Sequence, residues 1–212
     1  MQRNEVYSCP QCQALNKATL SQTSILVCKS CKTLIPDPQG QQELPEASPM
    51  PEDWSFLKVG SVCDLPQQSF TIVGRCRLQL RNEYKNFWCA EYASGKALYV
   101  VESFGSFSIF LSPWADYTQN PSKLRAGKPI EISKEVKLTG EYVEKCEGLS
   151  FEGELGPWAF IKPGFFVVQA STGPKTAIFF IDPKKNIDYL TGEKITSDRL
   201  NFKNTIEWNE WK

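Results

Sequence analysis

Four cysteines near the start of the chain, Cys9, Cys12, Cys28 and Cys31, are the residues whose type and spacing define a chemistry. Two Cys-x-x-Cys pairs with 15 residues between them match a four-thiolate zinc site. Each pair can chelate from one tight turn, and zinc accepts four sulfurs tetrahedrally without a redox requirement. Four thiolates leave no coordination position for water, so one structural zinc ion is expected. A redox-active pair would need a helix start to lower a thiol pKa, and neither pair precedes a helical pattern.

The remaining cysteines, Cys63, Cys76, Cys89 and Cys146, are scattered among apolar residues and are expected in the core as small hydrophobes. Histidine is absent, which removes the usual general base near neutral pH and every triad or mixed metal centre that needs one. The nearest carboxylate couples are Glu152 with Glu154 and Glu144 with Glu147. Glycines alternating with charge predict an exposed turn or sheet edge for Glu152 and Glu154, and a solvated strand or turn accounts for Glu144 and Glu147, so no catalytic residue is assigned. No phosphate-binding glycine loop occurs. An enzyme is therefore not expected, and a carboxylate-dependent one is the third choice.

Hydrophobic residues make up 41% of the 212 and charged residues 23%, as in folded proteins. The formal net charge is zero, so no general nucleic-acid footprint is expected. The first residues resemble no secretory signal and no apolar run is long enough to span a bilayer. A cytoplasmic protein is expected, at most peripheral to a membrane complex.

Positioning the cysteines falls to a small head, residues 1–35, in which Ser24-Ile25-Leu26-Val27 reads as a strand leading to the second pair. So small a unit cannot bury enough apolar surface alone, and a metal would supply the missing stability. Residues 36–53 are proline-rich and acidic and read as a linker, or as a loop laid on the body through Leu44 and Met50. Short aromatic and β-branched runs then predict a mainly β body, an antiparallel sheet or barrel, in two units, 54–125 and 126–212. Ser94-Gly95 reads as a reverse turn, and a helical turn is predicted around Pro113 to Leu124.

The second unit weakly repeats the first. The run Phe70-Thr71-Ile72-Val73-Gly74-Arg75 matches Val136-Lys137-Leu138-Thr139-Gly140-Glu141. Leu98-Tyr99-Val100-Val101 matches Phe165-Phe166-Val167-Val168, and Ile109-Phe110-Leu111 matches Ile178-Phe179-Phe180-Ile181. A duplicated β unit is expected.

The order of CPQC and CKSC, LKVGSVCDLPQQSFTIVGRC, and FWCAEYASGKALYVVESFGSFSIF resembles the bacterial domain of unknown function numbered 4178. Glu152-Gly153-Glu154-Leu155 and Ile187-Asp188-Tyr189-Leu190-Thr191-Gly192-Glu193 resemble further segments of that family, so the likeness covers most of residues 7–200. It departs at Gln13 and Lys32, where such ribbons often carry glycine after the second cysteine. The resemblance implies an accessory role near membrane-associated or stress systems and transfers no activity.

The leading expectation is a noncatalytic accessory or adaptor that binds a protein partner. Its contacts would come from sheet edges or aromatic side chains, with Trp208 and Trp211 as candidate anchors and Trp88 and Trp158 in the core. The alternative is an RNA- or DNA-binding module that uses Lys17, Lys29 and Lys32 of the head.

Overall fold

The computed structural model describes residues 5–35, 46–52, 55–65, 68–92, 95–111, 114–158, 160, 162–196 and 199–207. The protein is mainly β. The head holds β1 (Val6–Ser8) paired with β2 (Leu15–Lys17), and β3 (Ile25–Val27) paired with β4 (Leu34–Ile35). The body opens with β5 (Val62–Leu65), followed by the antiparallel meander β6 (Gln68–Leu80), β7 (Tyr84–Tyr92), β8 (Lys96–Ser103) and β9 (Ser106–Phe110).

After β10 (Ala115–Asp116) and β11 (Pro129–Glu131), a second meander runs through β12 (Lys137–Leu155), β13 (Phe166–Thr172), β14 (Lys175–Ile181) and β15 (Ile187–Ile195). The last described strand, β16 (Asn201–Lys203), pairs with β5.

The two meanders meet first strand to first and last strand to last: β12 pairs with β6 through residues 146–153, and β15 pairs with β9. Since β12 also pairs with β13 through residues 139–145, the ladder runs from β6 around all eight strands and back to β6. All but the β1–β2 hairpin of the described strands join this one large sheet, including β3 and β4 of the head.

Alternation along β6 and β12 explains how one sheet serves several apolar clusters. Phe70 and Ile72 face a cluster with Leu57, Trp88 and Val100. The ladder then slips between Ile72 and Gly74, so Cys76, Leu78 and Leu80 face the central cluster instead. In β12, Leu138 faces a third cluster, with Val168 and Phe179. A slip between Gly140 and Tyr142 then turns Tyr142 and Cys146 toward the central cluster.

Glycine is required at both slips. A Cβ at Gly74 would lie 2.1 Å from the Glu154 carbonyl oxygen, and one at Gly140 would lie 2.2 Å from the Arg125 carbonyl oxygen.

The Gly74–Gly140 correspondence read in the sequence thus falls on matching positions. The other two pairings join runs on β8 and β13 and on β9 and β14, which stand at different places in the order of the two meanders. Apolar strands resemble one another too closely in composition to fix the phase.

The predicted helical turn around Pro113 to Leu124 is met in its last part, and its expected start at Ser112 and Pro113 lies outside the described residues. Among the described residues, Ala115–Asp116 is a short strand on β15, and one 3-10 turn follows at Pro121–Lys123, capped by the Asn120 side chain with Pro121 at its first position. Gly95, with φ of +86°, closes the β7–β8 connection; Ser94 lies outside the described residues, as do Leu44, Trp208 and Trp211.

Trp158 and Phe160, on the segment after β12, pack with Trp114, Phe87, Phe165 and Phe180 at the central cluster. The Trp158 indole donates to the Phe160 carbonyl at 2.6 Å, so its polar edge is satisfied inside the apolar mass.

Candidate metal centre

Cys9 and Cys12 lie in the turn between β1 and β2, and Cys28 and Cys31 in the turn between β3 and β4. The two turns have the same backbone construction. The Gln13 N–H donates to the Cys9 carbonyl and the Cys9 N–H to Ala14, both at 3.0 Å; the Lys32 N–H donates to Cys28 at 3.0 Å and the Cys28 N–H to Thr33 at 2.8 Å. Gln13 and Lys32 adopt φ of 60° and 63°, the left-handed region. The two departures from glycine noted in the sequence therefore sit where glycine would be least strained. An L residue there costs about 1–2 kcal/mol.

The four sulfurs all lie within 4.8 Å of one another, with Cys9 to Cys31 at 3.5 Å and Cys12 to Cys28 at 3.6 Å. A tetrahedron built on zinc–sulfur bonds of ~2.3 Å has edges of about 3.8 Å, so the residues fit one ion. Among the described residues this is the one cluster of cysteine and carboxylate side chains brought to metal-binding spacing.

The hydrogen bonds around the sulfurs favour thiolates unequally. The Cys31 backbone N–H, then the Ser30 N–H and the Asn16 amide, draw the Cys28 thiol down to about 6 against burial. The Thr33 hydroxyl and backbone N–H lower Cys31. At Cys12 the Ala14 N–H favours ionisation, but the Cys31, Cys28 and Cys9 sulfurs and burial outweigh it and raise the thiol to about 11. Four neighbouring thiolates repel one another, and a divalent cation is the partner that lets them ionise together.

Asn16 is the supporting residue that sequence reasoning missed. It is 1% exposed, and its amide donates to the Ala14 carbonyl at 2.9 Å and to Cys28 Sγ at 3.5 Å, while its oxygen accepts from the Lys29 N–H at 2.9 Å. One side chain thus braces both turns. An asparagine four residues past a Cys-x-x-Cys pair was the available signal.

The head is fastened to the body by β3, which pairs with the end of β12 through Glu154↔Leu26 and Leu155↔Ile25. The predicted exposure of Glu154 is wrong. Glu154 is 4% exposed, and its carboxylate accepts four hydrogen bonds from the head: Thr19 N–H at 2.8 Å, Thr19 Oγ1 at 2.9 Å, Leu20 N–H at 2.9 Å and Thr23 Oγ1 at 2.6 Å. The flanking glycines, which suggested a solvated turn, serve close packing instead: a Cβ at Gly153 would meet Val73 and one at Gly156 would meet Ala97.

Glu152 bridges Arg75 at 3.1 Å. The two carboxylates do not share a site. Glu144, half-buried, accepts from the Asn82 backbone and side chain, and Glu147 is exposed.

Cys63, Cys76, Cys89 and Cys146 are buried, as are Trp88 and Trp158. Trp88 has a polar role too: its indole, with Ser55 Oγ and Asn86 Nδ2, donates to the buried carboxylate of Glu102 at 2.7–3.2 Å. Nothing in the sequence marked Glu102. Lys17, Lys29 and Lys32 are exposed on the head. From the acidic segment, the Ser48 N–H donates to the Leu149 carbonyl and the Pro49 carbonyl accepts from Ser150, so residues 48 and 49 lie along β12.

No family model, curated protein or solved structure gives a significant match to this chain. No helix of the described residues is long and apolar enough to cross a membrane.

Proposed function

We propose that this chain is a noncatalytic accessory protein whose four-cysteine head binds one structural zinc ion and, with the large sheet, forms a composite surface for a protein partner. The observation that supports this is the placement of four sulfurs in matched turns, on a head whose β3 extends the ladder of β12. Bound zinc would supply a fixed tetrahedral crosslink between the two turns. The chain's own residues orient the sulfurs through Asn16 and the paired N–H groups, and pin the head through Glu154. The resemblance to the bacterial family of unknown function belongs to this proposal, as does reading the eight-strand circuit as a closed, duplicated barrel.

The test is capture from the native cell with full-length zinc-loaded protein and with Glu154→Gln, which leaves every cysteine in place. Partners retained by the first and lost by the second support a composite surface. Equal retention, or RNA retained in a salt-sensitive way through Lys17, Lys29 and Lys32, contradicts it.

A further inference from the structure

Two separate apolar clusters cover the face of the sheet turned away from the central cluster, one around Trp88 and one around Phe179. Between them lies a cavity of about 830 Å³, within the range of small-molecule sites. Its floor is the β9–β15 ladder, where Glu193 stands opposite Ile109 and Ile195 opposite Phe107. By alternation, Ile109 points to the other side of β9 from Phe110, which belongs to the central cluster. Leu65, Ile109 and Ile195 belong to the Trp88 side of the cavity, and Ile132, Val136 and Leu138 to the Phe179 side. Leu111, 49% exposed, completes an aliphatic lining, in which no aromatic side chain takes part among the described residues. None of the lining residues belongs to the zinc head.

Three charged side chains also line the cavity: Lys175, Arg199 and Glu193, all exposed. Lys175 and Glu193 stand opposite each other in the β14–β15 ladder. Even so, no side-chain hydrogen bond or ion pair engages any of the three among the described residues. Lys85 provides the contrast: it is 3% exposed and lies 3.3 Å from Glu83, so its charge is met within the protein.

The lining thus carries two positive charges against one negative. A monoanion brings that sum to zero, a neutral head group leaves one cation unmatched, and a cationic head group raises the excess to two. The planar fork of Arg199 suits a carboxylate. An aliphatic floor beneath an exposed, charged rim fits a ligand with an apolar body and a head group that stays in water.

We propose that this cavity binds an aliphatic monocarboxylate, with its hydrocarbon chain on Ile109, Leu111 and Ile195 and its carboxylate at the cationic rim. The body then carries an amphiphile site that makes no use of the zinc head.

The experiment is a titration of full-length, zinc-loaded, isotope-labelled protein, followed by backbone amide shifts. The probes are octanoate, octanol and octylamine, which share a chain and differ in head group, and acetate, which has the head group without the chain; all are kept below micellar concentration. Octanoate is expected to give saturable shifts confined to β9, β15, residues 132–138 and the start of β14. It should bind more tightly than the alcohol or the amine, and acetate should give no saturable shift. Lys175→Gln/Arg199→Gln, which removes both exposed cations, should weaken octanoate about tenfold, as for two exposed ion pairs, and Glu193→Gln should tighten it. Leu111→Glu, at a half-exposed position, should abolish binding. No saturable shift with octanoate, equal or tighter binding of the alcohol, amine or acetate, or octanoate binding unchanged in the double variant or in Leu111→Glu would overturn the proposal. The comparison of the four probes on the unaltered chain decides the matter even where a variant fails to fold. Partner capture and zinc content enter none of these readouts.

Discussion

The carboxylate of Glu154 on β12 accepts hydrogen bonds from both the backbone and the hydroxyl of Thr19, at 2.8 and 2.9 Å. The pair spans 135 positions of sequence and joins the head to the body. Leu20 and Thr23 complete the set, so one buried side chain satisfies four donors that would otherwise be desolvated without partners. The head is therefore part of the sheet's edge.

Glu154→Gln presents an amide, with donors of its own, to those four donors. Unpaired buried groups cost about 1–3 kcal/mol each, and a loss of about 2 kcal/mol or more is expected for head docking. Hydrogen exchange at residues 19–27 should accelerate while β13 and β14 stay protected. Equal protection in the variant would show that strand pairing alone holds the head.

The left-handed residues after each cysteine pair give a prediction of opposite sign. Gln13→Gly and Lys32→Gly should each relieve backbone strain and stabilise the folded head by about 0.5–1 kcal/mol, net of the glycine entropy cost. Competition with a chromophoric chelator would register this as tighter zinc retention. Gln13→Val should shift retention the other way.

Asn16→Ala removes the brace between the turns without touching a sulfur. A fall in zinc affinity of about 10–100-fold is expected, as for other residues that orient metal ligands. Near-ultraviolet circular dichroism of the Trp158 cluster should be unchanged, which separates a local effect from unfolding.

How far the sequence reached can be judged at particular residues. The cysteine spacing was legible because chelation from a two-residue turn is a local property, and the strained positions of Gln13 and Lys32 were legible for the same reason. Gly74 and Gly140, aligned in the sequence, both stand at slips where close backbone approach demands glycine. Glu154 was misread because its four donors lie in a segment more than 130 residues away, and local composition says nothing of them. Glu102 and Lys85 escaped for that reason too: a charged residue within an alternating strand looks solvated until the covering layer is known. The remaining matched runs fall at different places in the two meanders because apolar strands carry little identity beyond their alternation.

Burial raises four body thiols: Cys63 to about 11, Cys89 and Cys146 to about 12, and Cys76 in the same direction. A thiol raised in the folded state contributes stability that is fully present below its ordinary value near 9 and is lost as pH rises through 11–12. Denaturant midpoints should thus hold up to about pH 9 and fall steadily above it. Iodoacetamide at neutral pH should leave these four unmodified until the body unfolds, whereas chelator treatment should open Cys9, Cys12, Cys28 and Cys31 first. Early labelling of Cys76 or Cys89 would contradict their burial.

The central claim is that the four head cysteines hold one zinc ion, and elemental analysis of the full chain purified after metal-sufficient expression tests it most directly. The account predicts a zinc-to-protein ratio near one, falling to near zero when Cys28 and Cys31 are both changed to serine. A ratio near zero in the unaltered chain, or iron in place of zinc, would contradict it.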